Sequence, residues 1–158
     1  MALKVVIMAG GKGERLWPVS SAQTPKQLIP FEGGKSLLRA AFERSLTLTR
    51  PEDIYVVTSS DLAGKVNDEL PEMRGENVLA EPVGRNTAPC IAYAAAVIAQ
   101  KDPGAVMAVF PSDHLIREPE KLKEAILFGA AALESHPDLL ITLGVVPDRP
   151  ETGYGYIA

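Results

Sequence analysis

A chain of 158 residues is long enough for one domain with a sizeable hydrophobic core. Its formal net charge of −4 argues against a nucleic-acid-binding surface, and one cysteine, Cys90, excludes an intrachain disulfide and any Cys/His metal spacing. The longest apolar run, residues 91–99, is too short to span a bilayer, and the N-terminus lacks a signal-type pattern, so a soluble cytoplasmic protein is expected.

The first element is the short apolar run Leu3-Lys4-Val5-Val6-Ile7-Met8-Ala9, which reads as a buried strand of a parallel sheet. It ends in Gly10, Gly11 and Gly13, three glycines within four positions. Glycines let the chain turn sharply and let a ligand approach with no Cβ in the way. Backbone N–H groups in such a turn converge on an anion, and Lys12 and Arg15 add formal charge. The stretch therefore reads as a phosphate-handling loop at the carboxyl end of a first strand, where open α/β sheets bind ligands. It is not a dinucleotide fingerprint, because Leu16 stands where the third glycine is needed. Gly34-Lys35-Ser36 ends like a Walker A loop, but Ile29 occupies the first glycine's place, so this segment reads as a turn before a helix.

Residues 19–24 are polar and aperiodic, hence a loop, and residues 26–31 read as a short extended piece. Ser36 opens a helix with Leu37, Leu38, Ala41 and Phe42 on one face. A second strand covers residues 54–58. Ser59 or Ser60 then caps a helix that turns Leu62, Val66 and Leu70 inward. A third strand at residues 77–82 runs into a loop. Thr87 is the expected N-cap of a helix from about residue 88 to 101, with Pro89 in its first turn. Residues 105–110 form a fourth strand, apolar throughout and therefore expected to be central. A helix starts near Pro119, a fifth strand is expected at residues 139–143, and residues 153–157 begin another extended segment. Strands and helices alternating at crossover spacing predict an α/β fold, a Rossmann-like mostly parallel sheet with helices on both faces.

Four segments carry chemistry, in chain order. The first is Gly10-Gly11-Lys12-Gly13-Glu14-Arg15-Leu16-Trp17-Pro18, followed by Thr24-Pro25-Lys26-Gln27. The others are Glu81-Pro82 with Gly84 to Pro89, Pro111-Ser112-Asp113-His114, and Arg149 to Ile157. Together they resemble the sugar-nucleotide pyrophosphorylases, and Trp17 and Gln27 resemble the mannose-1-phosphate guanylyltransferase branch. Lys12 departs from the pattern, which has a small hydroxyl residue there.

The resemblance implies transfer of a nucleotidyl group from GTP to mannose 1-phosphate, giving GDP-mannose and pyrophosphate. The sugar phosphate attacks the α-phosphorus in line, with no covalent enzyme intermediate. It implies that Gly10, Gly11 and Gly13 hold the triphosphate on their N–H groups, that Arg15 grips the β- and γ-phosphates, and that Lys26 reaches the reacting centre; Lys12, the departure, either strengthens phosphate binding or points into solvent. On residues alone, the alternatives are that Arg15 pairs with Glu14 or Glu32 and that Lys26 is a solvated lysine. Asp113 is the metal candidate, because a carboxylate at the end of an apolar strand needs a partner and Mg²⁺ is a natural one. The alternative is a capping aspartate. His114 is a neighbour rather than a ligand, and His136 a helix-end residue. The segment Glu81, Pro82, Arg85, Asn86, Thr87 and Ala88 corresponds to base recognition. Glu81 can accept from guanine N1–H and N2–H₂, or be a solvated strand-end glutamate. Gly155 is the sugar candidate through backbone contacts, or a strand bulge.

The expected partners are these two substrates, with no nucleic acid or membrane, and homo-oligomerisation left open. Two other readings stand beside the enzyme: a non-catalytic nucleotide-binding or regulatory subunit of the same fold, and a pyrophosphorylase for another base or sugar. The chain stops just after a Gly-Tyr-Ile segment that reads as a strand in progress, so residues 1–158 are expected to be the N-terminal part of a single nucleotidyltransferase domain.

Overall fold

The computed structural model describes residues 2–11, 25–30 and 32–157. Lys12, Gly13, Arg15 and the polar stretch 19–24 lie outside the described residues.

Strand β1 (Leu3–Met8) runs parallel to β2 (Ile54–Ser59) on one side and to β4 (Val106–Pro111) on the other. Strand β3 (Val78–Glu81) adds to β2, giving the parallel order β3-β2-β1-β4. The period-2 alternation of β1 divides the core between two faces. Val5 and Ile7 pack with Leu38, Ala41 and Phe42 of helix α1 (Leu37–Ser45) and with Val66 of α2 (Ala63–Glu69). Val6 points the other way, into a cluster with Cys90, Ala94 and Ile98 of α3 (Thr87–Lys101). Helices therefore cover both faces, as the alternating pattern predicts. Phe42, Leu38, Ile7 and Val6 are completely buried, and burial of each such side chain stabilises the fold by about 1.5–3 kcal/mol. No helix among the described residues is long and apolar enough to cross a membrane.

Helix starts follow local chemistry in one case and depart from it in two. Ser36 caps α1 as expected, its Oγ accepting the Arg39 N–H at 3.0 Å. Neither Ser59 nor Ser60 caps α2, whose N-cap is Leu62; the Ser60 hydroxyl is spent on the Glu81 carbonyl oxygen at 3.0 Å. The N-cap of α3 is Asn86, not Thr87, which is already helical. Asn86 has φ +66° and ψ −167°, a sparsely populated conformation in which a β-branched threonine would be more strained still.

Four further expectations are corrected. Residues 26–28 are a 3-10 turn rather than an extended piece; Ile29 after it is extended, and Pro30 makes an isolated bridge to Ser36. Among the described residues strand β4 stands at the edge of the sheet rather than at its centre, and its residues are only half-buried. Residues 139–143 do not form a fifth strand. Among the described residues their strand propensity finds no pairing partner, and Ile141 instead lies against α4 (Pro119–Ser135), 3.5 Å from where a Cβ on Gly129 would stand. Residues 153–157 form no strand either, so Gly155 is not a strand bulge.

Candidate phosphate site at the sheet's carboxyl end

The topology marks one crevice. Helices α1 and α2 carry the chain outward from β1 to β2 to β3 on one face, and α3 returns it on the other face to β4. The order reverses between β1 and β4, and ligands bind outside the carboxyl ends of strands at such a switch point. Two segments leave the sheet there: Ala9-Gly10-Gly11 from β1 and Ser112-Asp113 from β4, still tied by a 3.0 Å bond from the Ser112 N–H to the Met8 carbonyl.

Lys26, 87 residues away from Asp113 in sequence, forms a hydrogen-bonded ion pair with its Oδ2. Both side chains are a little over a quarter exposed. Burial alone would push the Asp113 carboxyl upward. The hydrogen bond and charge of Lys26 outweigh it, with smaller help from a backbone hydrogen bond and His114, and hold the carboxyl below its ordinary value. Asp113 is thus not an unpaired carboxylate, and Lys26 is not a freely solvated lysine.

The loop glycines sit between this pair and a buried acid. A Cβ on Gly11 would stand 3.5 Å from Lys26 Cε and 3.9 Å from its Nζ, and one on Gly10 would stand 3.5 Å from Glu81 Oε2. Neither glycine has a positive φ. A side chain at either position would come into van der Waals contact with a charged group, so the backbone approaches the ammonium and the carboxylate closely without an unusual turn. Glu81 is only 8 % exposed, which rules out a solvated strand-end glutamate. Its charge has a visible effect on Cys90, whose thiol is pushed up to about 11, first by burial and then by Glu81. Cys90 is a buried free thiol packed with Val6, Ala94 and Ile98.

A family model described as nucleotidyl transferase matches residues 4–158. The chain belongs to the nucleotidyl transferase family. It is 39 % identical over 154 residues to the xanthan biosynthesis protein XanB of Xanthomonas campestris pv. campestris, covering 96 % of this chain and 32 % of that protein. It is likewise 39 % identical over 155 residues to a mannose-1-phosphate guanylyltransferase of Escherichia coli, with 96 % and 32 % covered. A solved structure from Thermus thermophilus, described as a mannose-1-phosphate geranyltransferase, superposes with a TM-score of 0.73 at 36 % identity, over 87 % of this chain and 39 % of that one. The chain spans about a third of the length of the curated relatives it matches.

Within this nucleotidyl transferase, the structure brings together Gly10, Gly11, Lys26, Glu81 and Asp113. Pro82, Arg85, Asn86, Thr87 and Ala88 line the exposed approach to α3 beside Glu81. Gly155 is exposed in the segment after residue 150, with nothing within 4 Å of where its Cβ would be. His114 is exposed, and His136 closes α4, its N–H donating to the Ala132 carbonyl. Two polar residues of the site escaped the sequence. Gln27, quoted above only as part of a motif, is 1 % exposed, and its Nε2 donates to the Ala9 carbonyl at 2.7 Å. Thr58 is fully buried, and its hydroxyl donates to the same oxygen at 3.1 Å. Polarity within an apolar strand was the one available signal for Thr58.

Proposed function

We propose that the protein at its natural full length is a mannose-1-phosphate guanylyltransferase, joining GTP and mannose 1-phosphate to give GDP-mannose and pyrophosphate. The observation that carries this reading is the Lys26–Asp113 pair beside Gly10 and Gly11 at the β1/β4 switch point. The similarity to relatives named for mannose-1-phosphate guanylyltransfer supports the choice of base and sugar.

In this reading the glycine loop receives the triphosphate on its N–H groups, and Lys12 and Arg15 hold the β- and γ-phosphates that depart as pyrophosphate. Lys26 exchanges its carboxylate partner for phosphate oxygen at the reacting centre. An ammonium fixed beforehand near that point stabilises the spreading negative charge without reorganising. Glu81 accepts from guanine N1–H and N2–H₂, and the exposed residues 82–88 flank the base. Gly155 meets the sugar through its backbone.

Asp113 fits a hard divalent cation. It is an oxygen donor, half-buried at the crevice, and it is released when Lys26 turns to phosphate. The described residues contain no group of three or more potential ligands, so phosphate oxygens and water would complete the shell, the usual arrangement for Mg²⁺. Bound there, Mg²⁺ would neutralise phosphate charge.

The test is pyrophosphate release with each of GTP and ATP against mannose 1-phosphate and glucose 1-phosphate. Turnover should be highest with GTP and mannose 1-phosphate. Asp113→Asn should weaken GTP binding with Mg²⁺ more than without it. No preference for guanine or mannose would move the reading to a pyrophosphorylase of other specificity. Tight binding without any pyrophosphate release would make the protein a nucleotide-binding subunit.

A further inference from the structure

The Ala9 carbonyl oxygen accepts two side-chain hydrogen bonds at once, from Gln27 Nε2 at 2.7 Å and from Thr58 Oγ1 at 3.1 Å. Both donors are buried, and they come from positions 18 and 49 residues away in sequence. Ala9 lies just beyond β1, so nothing in the regular ladder requires its carbonyl to be doubly held.

The direction of that carbonyl matters. In extended chain, the N–H and C=O of one residue point to the same side of the strand. The Ala9 N–H donates to Val57 O on β2 at 2.8 Å, so its carbonyl also faces β2, where Thr58 sits. In a planar trans peptide the next N–H, that of Gly10, points the opposite way. That is the β4 side, toward the crevice that holds Asp113. The last rung on this side is the Ser112 N–H to Met8 O, and among the described residues no backbone acceptor takes the Gly10 N–H.

We infer that Gln27 and Thr58 are positioning residues that lock the Ala9–Gly10 peptide with the Gly10 N–H aimed at a nucleotide phosphate. A glycine peptide flips easily, because no Cβ restricts it. A flip here would put the Ala9 carbonyl oxygen in the crevice, where it repels phosphate, and would leave two buried donors unpaired. Gln27 holds the peptide at a further cost to itself: its Oε1 is buried with no hydrogen-bond partner among the described residues, a cost that packing alone would avoid. The inference rests on the phosphate-site reading above and adds the residues that set the loop's donor geometry.

The experiment uses the full-length protein and measures affinity for GTP, ATP and inorganic tripolyphosphate by calorimetry, with kcat and KM alongside. The variants are Gln27→Glu, which keeps the shape but turns the donor into an acceptor, Thr58→Val, which is isosteric without the hydroxyl, and Thr58→Ser, which restores it. Loss of one such hydrogen bond should weaken binding of all three ligands by about tenfold for Thr58→Val, and by more for Gln27→Glu. KM should carry the change, with kcat altered far less, and Thr58→Ser should recover most of it. The effect should be independent of base. Unchanged tripolyphosphate affinity in a folded Thr58→Val variant that only melts earlier would overturn the inference and leave both residues with a packing role. If the wild type itself fails to bind tripolyphosphate, the phosphate-site reading falls first, whatever the variants do.

Discussion

At the amino end of the sheet Lys4 is held by Asp53 at 2.5 Å and by Asp102 at 3.7 Å; at the carboxyl end Lys26 is held by Asp113 alone among the described residues. The chemistry is the same and the settings differ. Lys4 belongs to β1 itself, in register with Met107 of β4, while its acids sit where the chain enters β2 and leaves α3. Two carboxylates close on one ammonium at fixed ends of regular elements. Lys26 instead stands in a 3-10 turn, Asp113 in the loop after β4, and two glycines bring the backbone close to the lysine and a buried glutamate. A pair at the base of a parallel sheet joins elements. A pair at its carboxyl end, at the proposed phosphate site, is the one we propose exchanges a partner for a ligand.

That contrast is open to direct attack. The largest effect is expected at the carboxyl end. Lys26→Ala and Arg15→Ala should each lower kcat/KM by about 10²–10³-fold while the fold survives, because each removes a preorganised charge contact. Steady-state kinetics on variants with wild-type circular dichroism decide the matter, and near-normal kcat/KM for both would erase the distinction between the two pairs.

Next comes selectivity. Glu81→Gln replaces an acceptor with a donor facing guanine N1–H or N2–H₂, and should cost GTP about 1–3 kcal/mol relative to ATP. The ratio of the two affinities before and after is the measurement. An unchanged ratio would place base reading in the backbone of residues 83–86.

The smallest effect on chemistry is expected at the amino end. Lys4→Met should leave GTP affinity within about twofold and lower stability by about 1–2 kcal/mol, since it strands two partly buried carboxylates. The pH dependence follows from the sign of the shift. The hydrogen bond to Asp53 outweighs burial and, with the nearby acid charges, raises the Lys4 pKa. Its stabilisation is therefore complete below the unfolded value of about 10.4 and is lost as pH rises through the folded pKa. Urea melts of wild type and Lys4→Met should converge at strongly alkaline pH.

Much of this was legible in the sequence, and the exceptions share a cause. The first four strands were readable because their apolar runs are bounded by glycine, proline and asparagine, and the parallel arrangement because helices separate them. Residues 139–143 look like a strand by composition, yet a strand exists only when paired, and pairing is not encoded locally. The same limit hid the edge position of β4. At the site, Lys26 and Asp113 were each identifiable as chemistry, but their meeting depends on the crossover order. Gln27 and Thr58 were not identifiable as a clamp, because their common target is a backbone carbonyl, which has no letter in the sequence.

The partner exchange of Lys26 is the central claim, and a carboxyl titration tests it most directly. With the Asp113 carboxyl carbon followed by NMR in the full-length protein, metal removed by chelator, the free protein should show Asp113 titrating below its ordinary value, held there by Lys26. Saturating GTP should move that pKa upward, because the ammonium leaves for phosphate and new negative charge arrives. An Asp113 titration that does not move when GTP is bound would contradict the account.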